Sequence, residues 1–288
     1  MNYSALIENR RSVRAFTDKR VPNAFLIELE TYYYQNLKRL VPEIKTDLVF
    51  FDDGSKEALE GAAGYNQFLV GAPQYLVLLS EKHERMYLNA GFIMEDLLLK
   101  AYDMNLDSCW LTYTSSDDIK EAIGIITDLE VVAVAAFGYG VRTTKRLRLN
   151  IRSMSNIDIS AKRRYAEPKR SMYDMVYLNE WGNTDGLDDQ IGFFDNMLWE
   201  AFHAASLSPS YLNRQAYGFV IREGRISLIC RPDEYTTDLD GQLSLGVVML
   251  HFDAVVSEWV GKLKWSFGGD GSGLNLPKGH EVIASCII

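Results

Sequence analysis

Residues 90–94 read Ala-Gly-Phe-Ile-Met, and residues 245–249 read Leu-Gly-Val-Val-Met. The two stretches lie 155 residues apart, and the same offset carries Trp110 onto Trp265. Glycine, methionine and tryptophan therefore recur at one spacing, which indicates an internal duplication. The alternative interpretation is a chance similarity between two amphipathic helices.

The elements around these stretches favour the duplication. Apolar periodicity predicts a short helix from Ser4, then helices over 22–40 and 87–104 and strands over 48–51, 75–79 and 131–137. A second series follows, with helices over 193–205 and 243–260 and strands over 217–221, 226–230 and 281–288. Residues 130–133 (Glu-Val-Val-Ala) also match residues 281–284 (Glu-Val-Ile-Ala). The predicted fold class is α+β, with two similar halves packed as an intramolecular pseudo-dimer.

The stretch between the two series has a different composition. Residues 141–170 carry many basic side chains and show no clear apolar period, which predicts a connector. We therefore divide the chain into a first half (1–150), a connector with a basic element (151–185) and a second half (186–288).

The composition is that of an acidic globular protein. The 288 residues include 30 Lys and Arg against 39 Asp and Glu, with a net charge of −9, which argues against nucleic acid as a partner. Cys109, Cys230 and Cys286 lack CxxC spacing and fit a reducing compartment without a disulfide framework or a zinc site. The N-terminus lacks the apolar region of a signal peptide, and the longest apolar run, residues 131–137, is too short for a membrane span. We expect a soluble, cytoplasmic protein with no membrane partner.

The strongest local signal for chemistry is the run Arg-Arg-Ser-Val-Arg at residues 10–14. Three guanidinium groups and one hydroxyl within five residues can converge on a single phosphate, because arginine donates in a planar, bidentate geometry. The alternative interpretation is a solvated basic patch.

A second candidate is the polar loop at residues 206–217, between a predicted helix and a predicted strand. Ser210, Asn213 and Gln215 offer donors and acceptors that suit a planar heterocycle. Serine, proline and asparagine are also ordinary turn residues, so a simple helix stop is the alternative.

These stretches resemble the motifs of the nitroreductase family of flavoproteins, whose members are dimers with FMN at the subunit interface. Residues 7–16 resemble the N-terminal motif that holds the FMN phosphate and ribityl chain. Residues 208–215 are similar to the proline-serine-x-x-asparagine-x-glutamine loop that reaches FMN from the partner subunit. Residues 91–110 resemble the long core helix, with a flavin-facing turn at 106–111, and residues 168–171 resemble a C-terminal basic element that contacts the phosphate.

The resemblance implies an FMN-dependent oxidoreductase. NAD(P)H would be the co-substrate, and hydride would pass in a ping-pong cycle through FMN to a small-molecule electron acceptor such as a nitroaromatic or a quinone. No catalytic side chain and no metal are expected. The residues expected to bind the cofactor are Arg10, Arg11, Ser12, Arg14, Trp110, Leu111, Thr112, Lys169, Arg170, Pro209, Ser210, Asn213 and Gln215.

The distribution of the motifs adds to the resemblance. The arginine motif occurs only in the first half and the polar loop only in the second. In a symmetric dimer each site takes one motif from each subunit, so a fused chain with one copy of each retains one complete site. The chain resembles the fused, tandem-repeat branch of the superfamily and is expected to act as a monomer.

The chain departs from the family pattern, and other functions share its motifs. Ala216 and Tyr217 replace the usual proline and tryptophan, and Tyr113 follows the predicted flavin-facing turn, which bears on substrate choice. One alternative function is an FMN carrier or sensor without turnover. A scaffold that has lost the flavin is disfavoured by the intact arginine motif, Asn213 and Gln215. The four histidines, His83, His203, His251 and His280, show no metal spacing and are given no catalytic role.

Overall fold

Two β-sheets form the framework of the protein. The computed structural model describes residues 1–52, 58–64, 69–141, 145–153, 156–163, 168–187 and 195–288. The first sheet has the strand order β1 (Thr46–Asp52), β2 (Gln74–Ser80), β4 (Glu130–Gly138), β3 (Asp107–Leu111). The second has the order β7 (Val176–Leu178), β8 (Tyr217–Arg222), β9 (Arg225–Cys230), β11 (Glu281–Ile287), β10 (Ser266–Phe267). Neighbouring strands in both sheets are antiparallel, apart from the parallel pair β7–β8. The order β1-β2-β4-β3 of the first sheet recurs in the second as β8-β9-β11-β10.

Six helices pack around and between the sheets. They are α1 (Tyr3–Asn9), α2 (Asn23–Gln35), α3 (Met86–Asp103), α4 (Ser116–Ile123), α5 (Asp195–Ser206) and α6 (Asp238–Val260), counted within the described ranges. Short 3₁₀ turns lie at Met172–Asp174 and Tyr211–Asn213. In both halves a long helix follows the second strand along the chain: α3 connects β2 to β3, and α6 connects β9 to β10.

The helices α3 and α6 touch each other through their backbones at two glycines. A Cβ on Gly91 would lie 2.1 Å from the carbonyl oxygen of Leu243, and one on Gly246 would lie 2.0 Å from that of Leu88. The contacts are reciprocal, because the offset that relates Gly91 to Gly246 also relates Leu88 to Leu243. Only glycine permits an approach this close.

The two hydrophobic cores interlock across this contact. Tyr3 and Ile7 of α1, together with Phe92 of α3, belong to the core that lies against the second sheet. Leu243 of α6 belongs in turn to the core on the first sheet. The first 150 residues therefore do not bury their apolar surface independently of the rest.

The central strands of the first sheet are covered on both faces. Every residue of β2 is buried, as are residues 131–138 of β4. One face packs on α3 and the other on a cluster that includes Leu59 and Ile119. Strands buried on both faces have continuous apolar sequences, which is why these runs stand out in the sequence.

Most of the predicted helices and strands are confirmed, with ends within two residues of the prediction. The helix predicted over 22–40 is wrong at its end, because α2 stops at Gln35. Beyond it the backbone bonds to side chains of α3: Lys38 N–H donates to Asp96 at 3.2 Å and Val41 N–H to Asn89 at 3.0 Å. The start predicted for α6 is five residues late, since Thr237 caps the helix.

Two further predictions need correction. Residues 106–111, predicted as a turn, contain the strand β3, which pairs along β4. Residues 141–170, predicted as a connector with no clear apolar period, contain a hairpin of β5 (Lys145–Ser153) and β6 (Asn156–Arg163). The alternation Leu147, Leu149, Ile151 has a strand period, but the intervening basic residues obscured it. The boundary predicted at 150/151 cuts β5. Residues 193–194 lie outside the described residues.

Among the described residues, α6 is the one helix long and apolar enough to cross a bilayer. Most of it is buried inside the protein, as the core helix of a soluble protein would be.

The glycine contact gives a first testable prediction. Gly246→Ala is expected to lower the free energy of unfolding by about 1–3 kcal/mol, because the new methyl group would overlap a carbonyl oxygen. Gly241→Ala in the same helix is a matched control: its Cβ would lie 3.6 Å from the nearest atom, a methyl of Thr236. That variant should gain up to about 1 kcal/mol from helix propensity. Urea unfolding measures both, and equal stabilities would contradict the close contact.

Candidate functional site

The arginine motif lies along the free edge of the first sheet. Val13 N–H donates to the carbonyl of Ser108 at 2.9 Å, and Ser12 pairs with Ser108 as an isolated parallel bridge. Further on, Val141 N–H donates to Ala15 at 2.8 Å. The motif is therefore held as an extended segment beside β3. The side chains of residues 11 and 14 are exposed, and that of Ser12 is half-buried.

Arg10 turns inward and is buried. Its Nη2 lies 3.2 Å from Oε1 of Glu95 on α3, and the two side chains are 5% and 0% exposed. Its Nη1 is also buried and has no hydrogen-bond partner among the described residues. Arg10 and Arg14 lie near Cys109 of β3, where burial raises the pKa of the thiol and the two guanidinium groups oppose that rise. Arg10 is therefore the inner end of the motif.

Three nitrogen-bearing side chains surround the carboxylate of Glu95 in the protein interior. Besides Arg10, the indole N–H of Trp110 donates to Oε2 at 2.7 Å, and Nε2 of His251 lies 3.1 Å from Oε1. Burial acts to raise the pKa of Glu95, but Arg10, His251 and Trp110 together hold it below its usual range. His251 is on α6, so this cluster spans both long helices. The other ring nitrogen of His251, Nδ1, lies 3.0 Å from the carbonyl oxygen of Ala204 on α5.

The polar loop of the second half is held by Gln215, which is fully buried. Its Nε2 donates to the carbonyl of Ser206 at 2.7 Å, and its Oε1 accepts from the N–H of Arg170 at 2.8 Å. The Ser210 hydroxyl accepts from Gln215 N–H at 3.0 Å. Residues 212, 213 and 215 have φ of 48°, 56° and 46°, a left-handed conformation that is strained for side chains other than glycine. Such strain clusters at functional sites.

The basic element lies against this loop. Lys169 Nζ donates to the carbonyl of Ser208 at 2.9 Å, Arg170 Nε to that of Arg214 at 3.4 Å, and Asn213 Nδ2 to that of Pro168 at 2.9 Å. The structure therefore brings the predicted residues 169 and 170 together with the predicted loop residues. Pro209 lies in the same loop, half-buried.

The residues predicted on the flavin-facing turn lie on or just after β3. Trp110 is half-buried with its N–H committed to Glu95, and Leu111 is buried. The carbonyl of Thr112 accepts from Gly64 N–H at 2.6 Å.

Three residues of this region were not predicted from the sequence: Glu95, His251 and Arg231. Glu95 and His251 connect the arginine motif to α5, and Arg231 Nη2 donates to the carbonyls of Gln215 and Tyr217 at 3.2 and 2.7 Å. Burial and the nearby Arg170 lower the pKa of Arg231. Glu95 could have been suspected from the sequence, because a carboxylate within the apolar run 92–99 is rarely buried unless it is paired.

Within the described residues no group of three or more His, Cys, Asp or Glu is arranged to hold a metal ion.

Comparison with solved structures supports the fold. The chain is similar over its whole length to a structure from Thermotoga maritima described as a "putative nitroreductase", of which it covers 94%, with a TM-score of 0.59 and 17% identity. A nitroreductase family protein from Clostridium novyi NT matches 49% of this chain and 87% of its own, with a TM-score of 0.44 and 18% identity. An "FMN-dependent Nitroreductase" from Clostridium difficile R20291 matches 48% and 87%, with a TM-score of 0.41 and 18% identity. No curated protein matches.

The family is shown by the sequence itself. The model of the family described as "Putative TM nitroreductase" matches residues 2–256, most of the chain. That range includes the arginine motif, both long helices up to residue 256, and the polar loop. The chain therefore belongs to the nitroreductase family of flavin-dependent oxidoreductases.

Proposed function

We propose that this protein is an FMN-dependent oxidoreductase that uses NAD(P)H as co-substrate and reduces a small electron-poor acceptor, such as a nitroaromatic or a quinone. The observation that carries the proposal is the buried guanidinium of Arg10, whose Nη1 has no acceptor among the described residues. A buried charged donor without a partner is costly, so its presence points to an anionic ligand. The phosphate of FMN is such an anion.

The arginine motif would hold the phosphate. Arg10 would contact it from the interior, while Arg11, Ser12 and Arg14 would approach it from the segment that is held along β3. Charge-assisted hydrogen bonds from guanidinium groups suit a phosphate in number and geometry. Lys169 and Arg170 would add positive charge from the side of the loop.

The loop and β3 would border the ring system. Ser210 and Asn213 are the loop residues proposed to bond the ribityl chain and the ring edge, beside Pro209. Gln215 uses both amide atoms within the protein, so it would act by holding the loop. Trp110, Leu111 and Thr112, on or just after β3, would pack against the ring. The Trp110 N–H would not bond the ring, because it is already bonded to Glu95.

Bound FMN would supply the two-electron chemistry, and the protein its binding and orientation. The chain's own groups would neutralise the phosphate and orient the ring. None of them needs to serve as a nucleophile or a proton donor.

The proposal includes one site per chain in a monomer built as a fused pseudo-dimer. The reciprocal contact of Gly91 and Gly246 supports it, as does the repeated strand order of the two sheets. The arginine motif and the polar loop each occur once, so the two halves supply the parts of one site.

An absorption spectrum tests the proposed activity. The purified protein incubated with FMN is expected to show the bands of oxidised flavin after gel filtration, because the site retains the phosphate. Anaerobic addition of NADH or NADPH should then bleach these bands. A retained flavin that neither nucleotide bleaches would contradict the reductase and favour a carrier or sensor. A protein that takes up no FMN would contradict both functions.

Arg14 gives a more local test of the phosphate site. Arg14→Gln is expected to weaken FMN binding about tenfold, since a charge-assisted hydrogen bond contributes about 1.5–3 kcal/mol. The matched control is Arg225→Gln, an exposed arginine on β9 outside the proposed site. Flavin fluorescence titration measures both dissociation constants. Equal affinities of the two variants would place the phosphate elsewhere.

A further inference from the structure

His251 occupies a position that the sequence did not mark. Its ring is 1% exposed and lies between two oxygen atoms, the Ala204 carbonyl at 3.0 Å from Nδ1 and Glu95 Oε1 at 3.1 Å from Nε2. The elements packed around it are α3, which carries Glu95, and α5, which carries Ala204. Arg10 and Trp110 face Glu95 from the other side.

The hydrogen bonds determine where the protons are. A carbonyl oxygen only accepts, so Nδ1 of His251 carries a hydrogen. Glu95 already accepts from Arg10 and Trp110, and its pKa lies below the usual range, so its carboxylate is ionised and also only accepts. The same geometry assigns a hydrogen to Nε2 as well. With hydrogens on both nitrogens, His251 would be an imidazolium.

In that state the buried cluster would carry an excess positive charge. Arg10 and His251 would contribute two positive charges, and Glu95 one negative charge. The unpartnered Nη1 belongs to Arg10, so one of the two cations also has a donor without an acceptor. An isolated ion pair of Arg10 and Glu95 would instead be neutral and would attract a phosphate only weakly.

We propose that His251 is a positioning residue for the cofactor: it serves as the counter-ion of Glu95 and thereby leaves the charge of Arg10 available for the phosphate. The same imidazolium bonds the end of α5, two residues before the Ser206 carbonyl that holds Gln215. One side chain thus connects the phosphate end of the site, in the first half, to the loop of the second. This inference rests on the proposed FMN site.

The test compares FMN with riboflavin, which has the same ring system and no phosphate. In His251→Gln the neutral side chain leaves Arg10 as the counter-ion of Glu95. FMN affinity is expected to fall about tenfold while riboflavin affinity stays within about twofold of wild type. Fluorescence quenching of each flavin gives the dissociation constants without any turnover.

A second variant reverses the effect. Glu95→Gln combined with His251→Gln removes the carboxylate together with its counter-ion, so Arg10 is again free for the phosphate. The preference for FMN over riboflavin should return to within about threefold of wild type. Glu95→Gln alone should retain the preference, and it provides the comparison if His251→Gln does not fold.

Asp253 offers a matched control on the same helix. It is a buried carboxylate that accepts from the Trp265 indole at 3.1 Å and pairs with Lys38 at 3.6 Å, so its partners differ from those of Glu95. Asp253→Asn should leave the ratio of the two affinities unchanged.

Three results would overturn the inference. They are an equal loss of FMN and riboflavin binding in His251→Gln, a double variant with a lower FMN preference than the single one, and loss of that preference in Glu95→Gln. A wild-type protein that binds no FMN would instead overturn the proposed function itself, and the inference with it.

Discussion

The structure depends on the contact between α3 and α6 at Gly91 and Gly246. At each glycine a carbonyl oxygen of the other helix occupies the place of a side chain. This approach brings the following turns of the two helices together, since Glu95 and His251 lie four and five residues beyond their glycines. A larger residue at either position would separate the helices, and with them the charged cluster that links the two halves.

The two halves use similar parts in different ways. Trp110 and Trp265, which lie 155 residues apart, each donate an indole N–H to a carboxylate on the long helix of their own half. In the first half the cation on that carboxylate is Arg10, 5% exposed, whereas in the second it is Lys38, whose side chain is 34% exposed. Lys38 lies in the loop that connects α2 to β1. The polar loop is the corresponding connection in the second half, from α5 to β8. Among the described residues, the first cluster has a buried donor without a partner, Nη1 of Arg10, and the second has none.

The sequence predicted the long buried elements well because their apolar runs are continuous. The strands β2 and β4 and the helix α3 are buried on several sides, so local pattern and tertiary environment agree. The hairpin of β5 and β6 was not predicted, because arginines alternate with its apolar residues. The end of α2 was predicted wrongly for another reason, since it is set by the side chains of Asp96 and Asn89 on a different helix.

The candidate site shows the same division. The motifs at residues 10–14 and 208–215 are contiguous in sequence, so their residue types could be recognised without a structure. The roles of Glu95 and His251 could not, because these residues are 156 positions apart and meet only when the two long helices cross. That Arg10 points inward and that Gln215 bonds within the protein are likewise consequences of packing.

A crystal structure of the protein with FMN tests the central claim, that both halves build one site around a single buried cluster. The account predicts one FMN per chain, with a phosphate oxygen roughly 3 Å from Nη1 of Arg10 and the ring bordered by β3 on one side and the polar loop on the other. Two flavins per chain, or a phosphate bound away from Arg10, would contradict it.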